Sequence, residues 1–281
     1  MASRTANHEK TRRLVVLGGR TRGEGRVSLV GAGPGDPELL TLKAARAIDK
    51  ADVVIHDGLV SEEILALIPQ KTRRISVAKR KSRHSFDQGE INRLLVGLAR
   101  EGLHVVRLKG GDPLIFGRGG EEIAACRDAG VRCEVVPGIT AALSSAAGAL
   151  APLTLRGSAE TVSFVTAHGE GGRPSALDWP ALARANHTVC FYMGLSLAVE
   201  IAERLIAAGR AASTPALLIE NASRPQERRR LTTLAGLGAA AQGLSGPALI
   251  LVGEAMAMAV SAEGEESPAV ARERHVARAA R

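Results

Sequence analysis

Short apolar runs alternate along the chain with segments of helical periodicity, and this alternation predicts strands connected by helices. The first run, residues 27–30, ends at Gly31 and has the length and composition of a buried parallel strand. The other strands predicted in the first half span residues 53–55, 75–78, 104–108 and 133–136. Strands that alternate with helices favour a mainly parallel sheet in an α/β fold.

The helices between these strands are predicted from apolar spacing and from capping residues. Thr41 can cap a helix that has Leu42, Ala45 and Ile48 on one face. The other helices are predicted at residues 61–68, 90–101, 120–129 and 140–149. A proline or a glycine directly follows each of the first three, as is typical where a helix ends.

A second alternating set begins after a connector at residues 151–160. Its strands are predicted at residues 161–166, 187–192, 216–220, 229–233 and 248–252, with a helix at 197–208. The helices of this set are shorter, so some strands are expected to pair antiparallel. The pattern therefore predicts two α/β domains, residues 26–154 and 155–260. Residues 1–25 are expected to form a flexible basic leader and residues 261–281 a disordered tail.

Composition narrows the possible functions. Apolar residues make up 45% of the chain but aromatic residues only 2%, which argues against a protein that stacks single-stranded bases on aromatic rings. The formal net charge is +8, and much of it lies near the two ends. The internal basic residues carry more chemical meaning, because a cleft lined by them would attract an acidic substrate. They are Lys79, Arg80, Lys81, Arg83, Arg107, Lys109 and Arg118.

The three cysteines and the chain's hydropathy bear on metal binding and location. Cys126, Cys133 and Cys190 lack paired metal-ligand spacing, so we expect reduced thiols in a cytoplasmic protein and no metal site. No apolar run approaches the roughly 18 residues of a membrane span, and the N-terminus lacks the apolar core of a signal peptide.

The first glycine-rich motif is Gly31-Ala32-Gly33-Pro34-Gly35, directly after a predicted strand. Glycines here allow a tight turn and the close approach of a ligand. The motif fits a nicotinamide-dinucleotide site poorly, because that fingerprint needs its third glycine one position later, at the start of a helix. Asp57, after the next strand, could imitate the ribose-binding acid of such a site.

The second motif places five glycines between Gly110 and Gly120, again where a strand ends. A tight turn needs only one or two glycines. The surplus indicates that backbone amides and carbonyls are presented to a bound molecule.

Together with four other stretches, these motifs resemble the tetrapyrrole methylase family over residues 26–256. The resemblance is carried by VGAGPGDPELLTLKA, the turn DGLVS at 57–61, KRKSRHSFDQGEIN, VRLKGGDPLIFGRGGEE, VVPGITAA and PLTLRG. It implies two α/β domains with S-adenosylmethionine in the cleft between them, and a homodimer. It also implies methylation of uroporphyrinogen III at carbons 2 and 7, which gives precorrin-2.

The resemblance also assigns roles to residues. It implies that Asp57 is a general base and Lys79 a general acid. It implies cofactor contacts at Pro34, Gly110, Gly111, Asp112, Ile115, Thr140, Ala141, Met193 and Ala222. The substrate carries eight carboxylates, and arginine pairs bidentately with that group. We therefore expect Arg80, Arg83 and Arg118 to bind the substrate.

Some positions depart from the family pattern, and some alternatives stay open. Leu155 stands where the family has histidine, and Ala78 and Ala222 stand where it has glycine. His168 follows a strand and is either a plain loop residue or part of the site. A methylase acting on a later precorrin is the nearest alternative, and a non-catalytic anion-binding or RNA-associated protein is a more distant one. Too few residues precede Arg26 for a dehydrogenase or ferrochelatase domain, so a stand-alone methyltransferase is expected. Whether the product feeds sirohaem or cobalamin stays open.

Overall fold

The computed structural model describes residues 24–78, 86–169 and 176–260. The predicted leader and tail lie almost entirely outside these ranges, as do Lys79, Arg80 and Arg83. Those predictions therefore stay untested by the structure.

The first half of the described chain forms a five-stranded sheet in the order β3-β2-β4-β1-β5, and every neighbouring pair is parallel. Its elements are β1 (Arg26–Gly31), α1 (Leu42–Asp49), β2 (Val53–His56), α2 (Glu62–Ala66), β3 (Arg73–Ser76), α3 (Gln88–Arg100), β4 (His104–Lys109), α4 (Gly119–Asp128), β5 (Arg132–Val136) and α5 (Ala141–Gly148).

Apolar side chains on both faces of this sheet are buried, as expected for a parallel sheet covered by helices on each side. On one face Val30 and Val54 pack with Ile48 of α1 and with α2. On the other face Leu29 and Ile55 pack against α3 and α4. Because the strands are parallel, the carboxyl ends of β1, β2 and β4 meet at one edge, where ligands bind in folds of this class.

The second half forms another five-stranded sheet, in the order β6-β7-β10-β8-β9. Only β6 and β7 are parallel; the other neighbours are antiparallel, as the shorter helices predicted. The elements are β6 (Thr161–Thr166), α6 (Trp179–Leu182), β7 (His187–Tyr192), α7 (Ala198–Ala207), β8 (Pro215–Glu220), β9 (Arg228–Thr233), α8 (Leu237–Ala241) and β10 (Ala248–Val252). The predicted α/β fold class is confirmed.

Two local predictions are wrong. In α1, Ile48 is buried as predicted, but Leu42 and Ala45 are exposed, because Ala44 takes their place on the face that meets the sheet. Strand β3 occupies residues 73–76 and not 75–78, because it pairs with β2 as the edge strand and places two arginines in the ladder. An apolar pattern cannot reveal such residues. Among the described helices, none is long and apolar enough to span a membrane.

Candidate active site

The two glycine-rich loops lie against each other where β1 and β4 end. The Gly33 and Gly111 amides each donate to the carbonyl of the other, over 3.1 and 2.7 Å. A third loop closes on them: a Cβ added at Gly138 would lie 2.3 Å from the Gly111 carbonyl oxygen, and one added at Gly31 would lie 2.5 Å from the Gly138 Cα. Close backbone approach therefore explains why glycine occupies positions 31 and 138.

Asp112 holds this arrangement together through its carboxylate. One oxygen accepts from the Leu114 amide at 2.8 Å, and the other accepts from the Gly138 amide at 3.0 Å. The carboxylate therefore orders the second loop internally and ties it to the third loop.

The space in front of Gly111 fits a bound cofactor. Gly111 has a φ of +68°, and a Cβ added there would have Ala141 N and Thr140 Cα as its nearest neighbours, both at 4.0 Å. Backbone groups of the second loop and of the start of α5 thus face a gap that a side chain would fill. A ligand can approach both backbones closely at this point.

The two glycine-rich loops and the start of α5 form a cradle around this gap. Tyr192 joins this cradle to the second sheet. Its hydroxyl lies 2.6 Å from Thr140 Oγ1 and accepts from the Ala142 amide at 3.2 Å. Its ring packs on Phe116, with the ring centroids 4.9 Å apart. Burial raises the pKa of Tyr192. The next residue, Met193, directly follows β7, has a φ of +56° and is half exposed.

Sequence reasoning missed Tyr192. The available signal was the chain's single tyrosine, which directly precedes the Met193-Gly194 pair.

Asp57 lies directly after β2, beside the second glycine loop. Its Oδ1 accepts from the Leu59 amide at 3.0 Å, and its Oδ2 lies 3.4 Å from Arg107 Nη2. A Cβ added at Gly110 would lie 2.6 Å from the Leu59 Cβ, so the second glycine loop packs on the Asp57 turn. The carboxylate is 27% exposed and therefore reachable.

Behind Asp57 is a buried charge network that sequence reasoning did not assemble. Arg107 Nε donates to Glu122 Oε1 at 3.0 Å, and Lys109 Nζ lies between both Glu122 oxygens at 3.1 and 3.0 Å. The side chains of Arg107, Lys109 and Glu122 are at most 4% exposed. Burial lowers the pKa of Lys109, and nearby Arg107 lowers it further, whereas Glu122 opposes the shift. With Asp57 included, two cations balance two anions.

An open cavity of about 800 Å³ adjoins Asp57. Ala78, Phe86, Gln88, Arg107 and Arg118 are among the residues that line it. Arg118 precedes α4 in a left-handed conformation and forms an ion pair with Glu121 at 2.6 Å. The cavity therefore brings the predicted base and one predicted substrate-binding residue to the same space.

The remaining predicted positions are not among the residues that line this cavity. Ile115 closes a turn by donating its amide to the Asp112 carbonyl at 3.3 Å. The Pro34 carbonyl accepts from Arg224 of the second sheet, at 3.2 Å. His168 contacts Ser196 at 3.3 Å and is not joined to the glycine loops by any hydrogen bond between described residues.

The three departures from the family pattern are accommodated locally. Ala222 is buried in the core of the second sheet, and the left-handed residues of its loop are its neighbours Asn221 and Ser223. An alanine therefore carries no backbone strain there. The methyl group of Ala78 lies beside Gly58, because a Cβ added at Gly58 would be 3.3 Å from the Ala78 Cβ. Leu155 is half-buried and packs against the core of the second sheet.

Comparison with known proteins places this chain in a family. Uroporphyrinogen-III C-methyltransferase of Paracoccus denitrificans is 51% identical over 239 residues, which cover 84% of this chain and 83% of that protein. Siroheme synthase 3 of Aeromonas hydrophila is 52% identical over 235 residues, which cover 84% of this chain but 50% of that protein. The chain thus spans about half the length of the siroheme synthases it matches.

Solved structures give the same grouping. Uroporphyrin-III C-methyltransferase of Thermus thermophilus, complexed with S-adenyl homocysteine, is 45% identical with a TM-score of 0.72, and the match covers 82% of this chain and 98% of that one. A cobalt precorrin-4 methyltransferase is 30% identical with a TM-score of 0.73, over 82% and 95% of the two chains. The family model of tetrapyrrole (corrin/porphyrin) methylases matches residues 26–238. The chain therefore belongs to the tetrapyrrole methylase family.

Proposed function

We propose that this chain is an S-adenosylmethionine-dependent methyltransferase that methylates uroporphyrinogen III at carbons 2 and 7, giving precorrin-2. The observation that carries the proposal is the packing of Gly110 against the turn that presents Asp57. A reachable carboxylate thereby lies beside the glycine cradle that fits a cofactor. The relatives named uroporphyrinogen-III and uroporphyrin-III C-methyltransferases support this choice of substrate over a later precorrin.

The cofactor would be held where the two glycine loops, the start of α5 and the end of β7 converge. S-adenosylmethionine supplies an electrophilic methyl group on a sulfonium centre. The residues proposed to contact it are Pro34, Gly110, Gly111, Asp112, Ile115, Thr140, Ala141, Met193 and Ala222. Since the Asp112 carboxylate already accepts hydrogen bonds from two backbone amides, its main contribution is to stabilise the conformation of the second glycine loop. Positioning of the methyl group against the ring carbon dominates the barrier in such a reaction.

Asp57 is proposed to act as the general base. Net alkylation of a pyrrole carbon requires that the framework lose a proton, and a carboxylate within reach can accept it. The Leu59 amide and Arg107 hold the Asp57 carboxylate in place. Lys79 is proposed as the general acid on the family resemblance alone.

Substrate carboxylates are proposed to bind to Arg118, Arg80 and Arg83. Arg118 lines the cavity next to Asp57, where it is partly exposed. A substrate carboxylate there would compete with Glu121 for the guanidinium. A homodimer in the cytoplasm and the division of the chain near residue 155 are also proposed, on the resemblance and the sequence pattern.

Methyl transfer can be tested directly. The protein is incubated with uroporphyrinogen III and methyl-labelled S-adenosylmethionine, and the added methyl groups are counted by mass spectrometry. We expect two methyl groups, and Asp57→Asn should lower the rate on the order of 100-fold, as for a lost general base. The asparagine can still accept from the Leu59 amide, so the turn is kept. The substrate would be refuted if uroporphyrinogen III stayed unlabelled while a later precorrin, supplied in its place, became labelled. Normal turnover of the variant would refute the role of Asp57.

A further inference from the structure

Arg224 crosses from the second sheet to the proposed active site. It lies in the loop between β8 and β9, and its Nε donates to the Pro34 carbonyl at 3.2 Å. Its Nη2 donates to the Leu59 carbonyl. The stem of the side chain packs on the first glycine loop, because a Cβ added at Gly35 would lie 2.6 Å from Arg224 Cγ. One side chain thus touches two loops that are far from it in the sequence.

One of the two carbonyls lies in the loop proposed to bind the cofactor, and the other lies in the turn that presents the proposed base. Pro34 lies in the first glycine loop and is a proposed cofactor contact. Leu59 lies in the turn that presents Asp57, and its amide donates to that carboxylate at 3.0 Å. Arg224 therefore links the cofactor loop to the residue whose backbone orients the base. A planar guanidinium can bond both carbonyls at once, whereas an ammonium acts as a single point charge.

The loop that carries Arg224 is itself held in place. Asn221 and Ser223 both have a positive φ, and the Ser223 amide donates to the Glu227 carboxylate at 2.5 Å. Ser223 Oγ also accepts from the Asp36 amide at 3.4 Å, which makes a second link to the first glycine loop. Such a restrained loop can hold the guanidinium in one position. The same loop contains Ala222, another proposed cofactor contact.

We propose that Arg224 is a positioning residue that fixes the Asp57 turn against the cofactor loop across the two sheets. This inference rests on the proposed function. Without the guanidinium, the Leu59 carbonyl and the Pro34 carbonyl lose their common donor. The Asp57 carboxylate is then positioned less accurately against the tetrapyrrole substrate, and the first glycine loop is held less firmly.

The test uses Arg224→Met, which keeps the length of the stem, and Arg224→Lys, which keeps the charge. Arg204→Met is the matched control, because that arginine is exposed on α7 and bonds only Glu200 within the described chain. We expect Arg224→Met to lower kcat at least tenfold and to weaken S-adenosylhomocysteine binding severalfold by calorimetry, since charged hydrogen bonds are among the stronger ones. Arg224→Lys should fall in between, and Arg204→Met should behave as the unaltered protein.

A double-mutant cycle separates positioning from a general loss of stability. If Arg224 acts through Asp57, the kcat losses of Arg224→Met and Asp57→Asn will not add, because the removed base can no longer be misplaced. Additive losses would overturn the inference, as would unchanged kcat and affinity in Arg224→Met. A different result would refute the proposed function, namely that the unaltered protein does not methylate uroporphyrinogen III. In that case the calorimetric measurement still tests whether Arg224 supports the cofactor loop.

Discussion

Glu122→Gln probes the buried charge network behind Asp57. The side chain of Glu122 is fully buried and is the shared partner of Arg107 and Lys109. The amide keeps the shape of the carboxylate but removes its charge. Among the described residues, Arg107 then has only Asp57 as a nearby anion, at 3.4 Å, and Lys109 loses its single ion-pair partner.

The expected cost is large at neutral pH. Removing one partner of a buried ion pair typically costs about 3–5 kcal/mol, because the other charge stays buried and uncompensated. We expect about 3 kcal/mol, since Asp57 still balances part of the Arg107 charge and glutamine can still accept a hydrogen bond. Glu121→Gln is the matched control one residue away. Its carboxylate is 49% exposed and pairs with Arg118 in solvent, so it should cost less than about 1 kcal/mol.

The cost should shrink as the pH rises. Burial already lowers the pKa of Lys109, and loss of the Glu122 charge, which opposes that shift, should lower it further. Above this folded pKa and below the unfolded value of about 10.4, the unfolded chain binds more protons, so stability rises with pH. Guanidinium unfolding of both variants at pH 7 and near pH 10 measures this. A Glu122→Gln cost below about 1 kcal/mol, or an equal cost at both pH values, would refute the reasoning.

Three further variants test other parts of the site. Gly138→Ala should weaken S-adenosylhomocysteine binding at least about tenfold, because its Cβ would lie 2.3 Å from a backbone oxygen. Gly120→Ala is the control, because a Cβ there meets nothing within 4 Å. Equal affinities of the two variants by calorimetry would contradict the expectation. Tyr192→Phe should lower the free energy of S-adenosylhomocysteine binding by about 1 kcal/mol or more by calorimetry, because the ring contacts stay while the Ala142 amide loses its acceptor. Unchanged affinity would show that the Tyr192 hydroxyl does not support the cofactor site. Arg80→Ala combined with Arg83→Ala should raise the KM for the tetrapyrrole about tenfold and leave cofactor affinity within about twofold; the reverse pattern would place the two ligands the other way round.

Much of the fold was readable in the sequence because it rests on local chemistry. Strands β1, β2 and β4 of the first sheet each contain a short apolar run, since most side chains buried on both faces of a parallel sheet are apolar. The side chain of Thr41 caps α1 as predicted, since a hydroxyl bonds an amide only three residues away. The surplus glycines predicted that backbone groups are presented to a bound molecule, which stays a prediction; what the structure shows is close packing of loop backbones at Gly31 and Gly138.

The tertiary structure decided what sequence patterns do not encode. Edge strand β3 carries two arginines that no apolar pattern could mark as strand. Tyr192 reaches Thr140 across 52 residues, and Arg224 reaches Pro34 across 190 residues. Each looks locally like an ordinary loop or strand residue, because a hydrogen bond between distant segments depends only on where the folded backbones bring its two atoms. The sequence therefore determined which residues line the strand ends, whereas the meeting of the two sheets determined which of them come into contact.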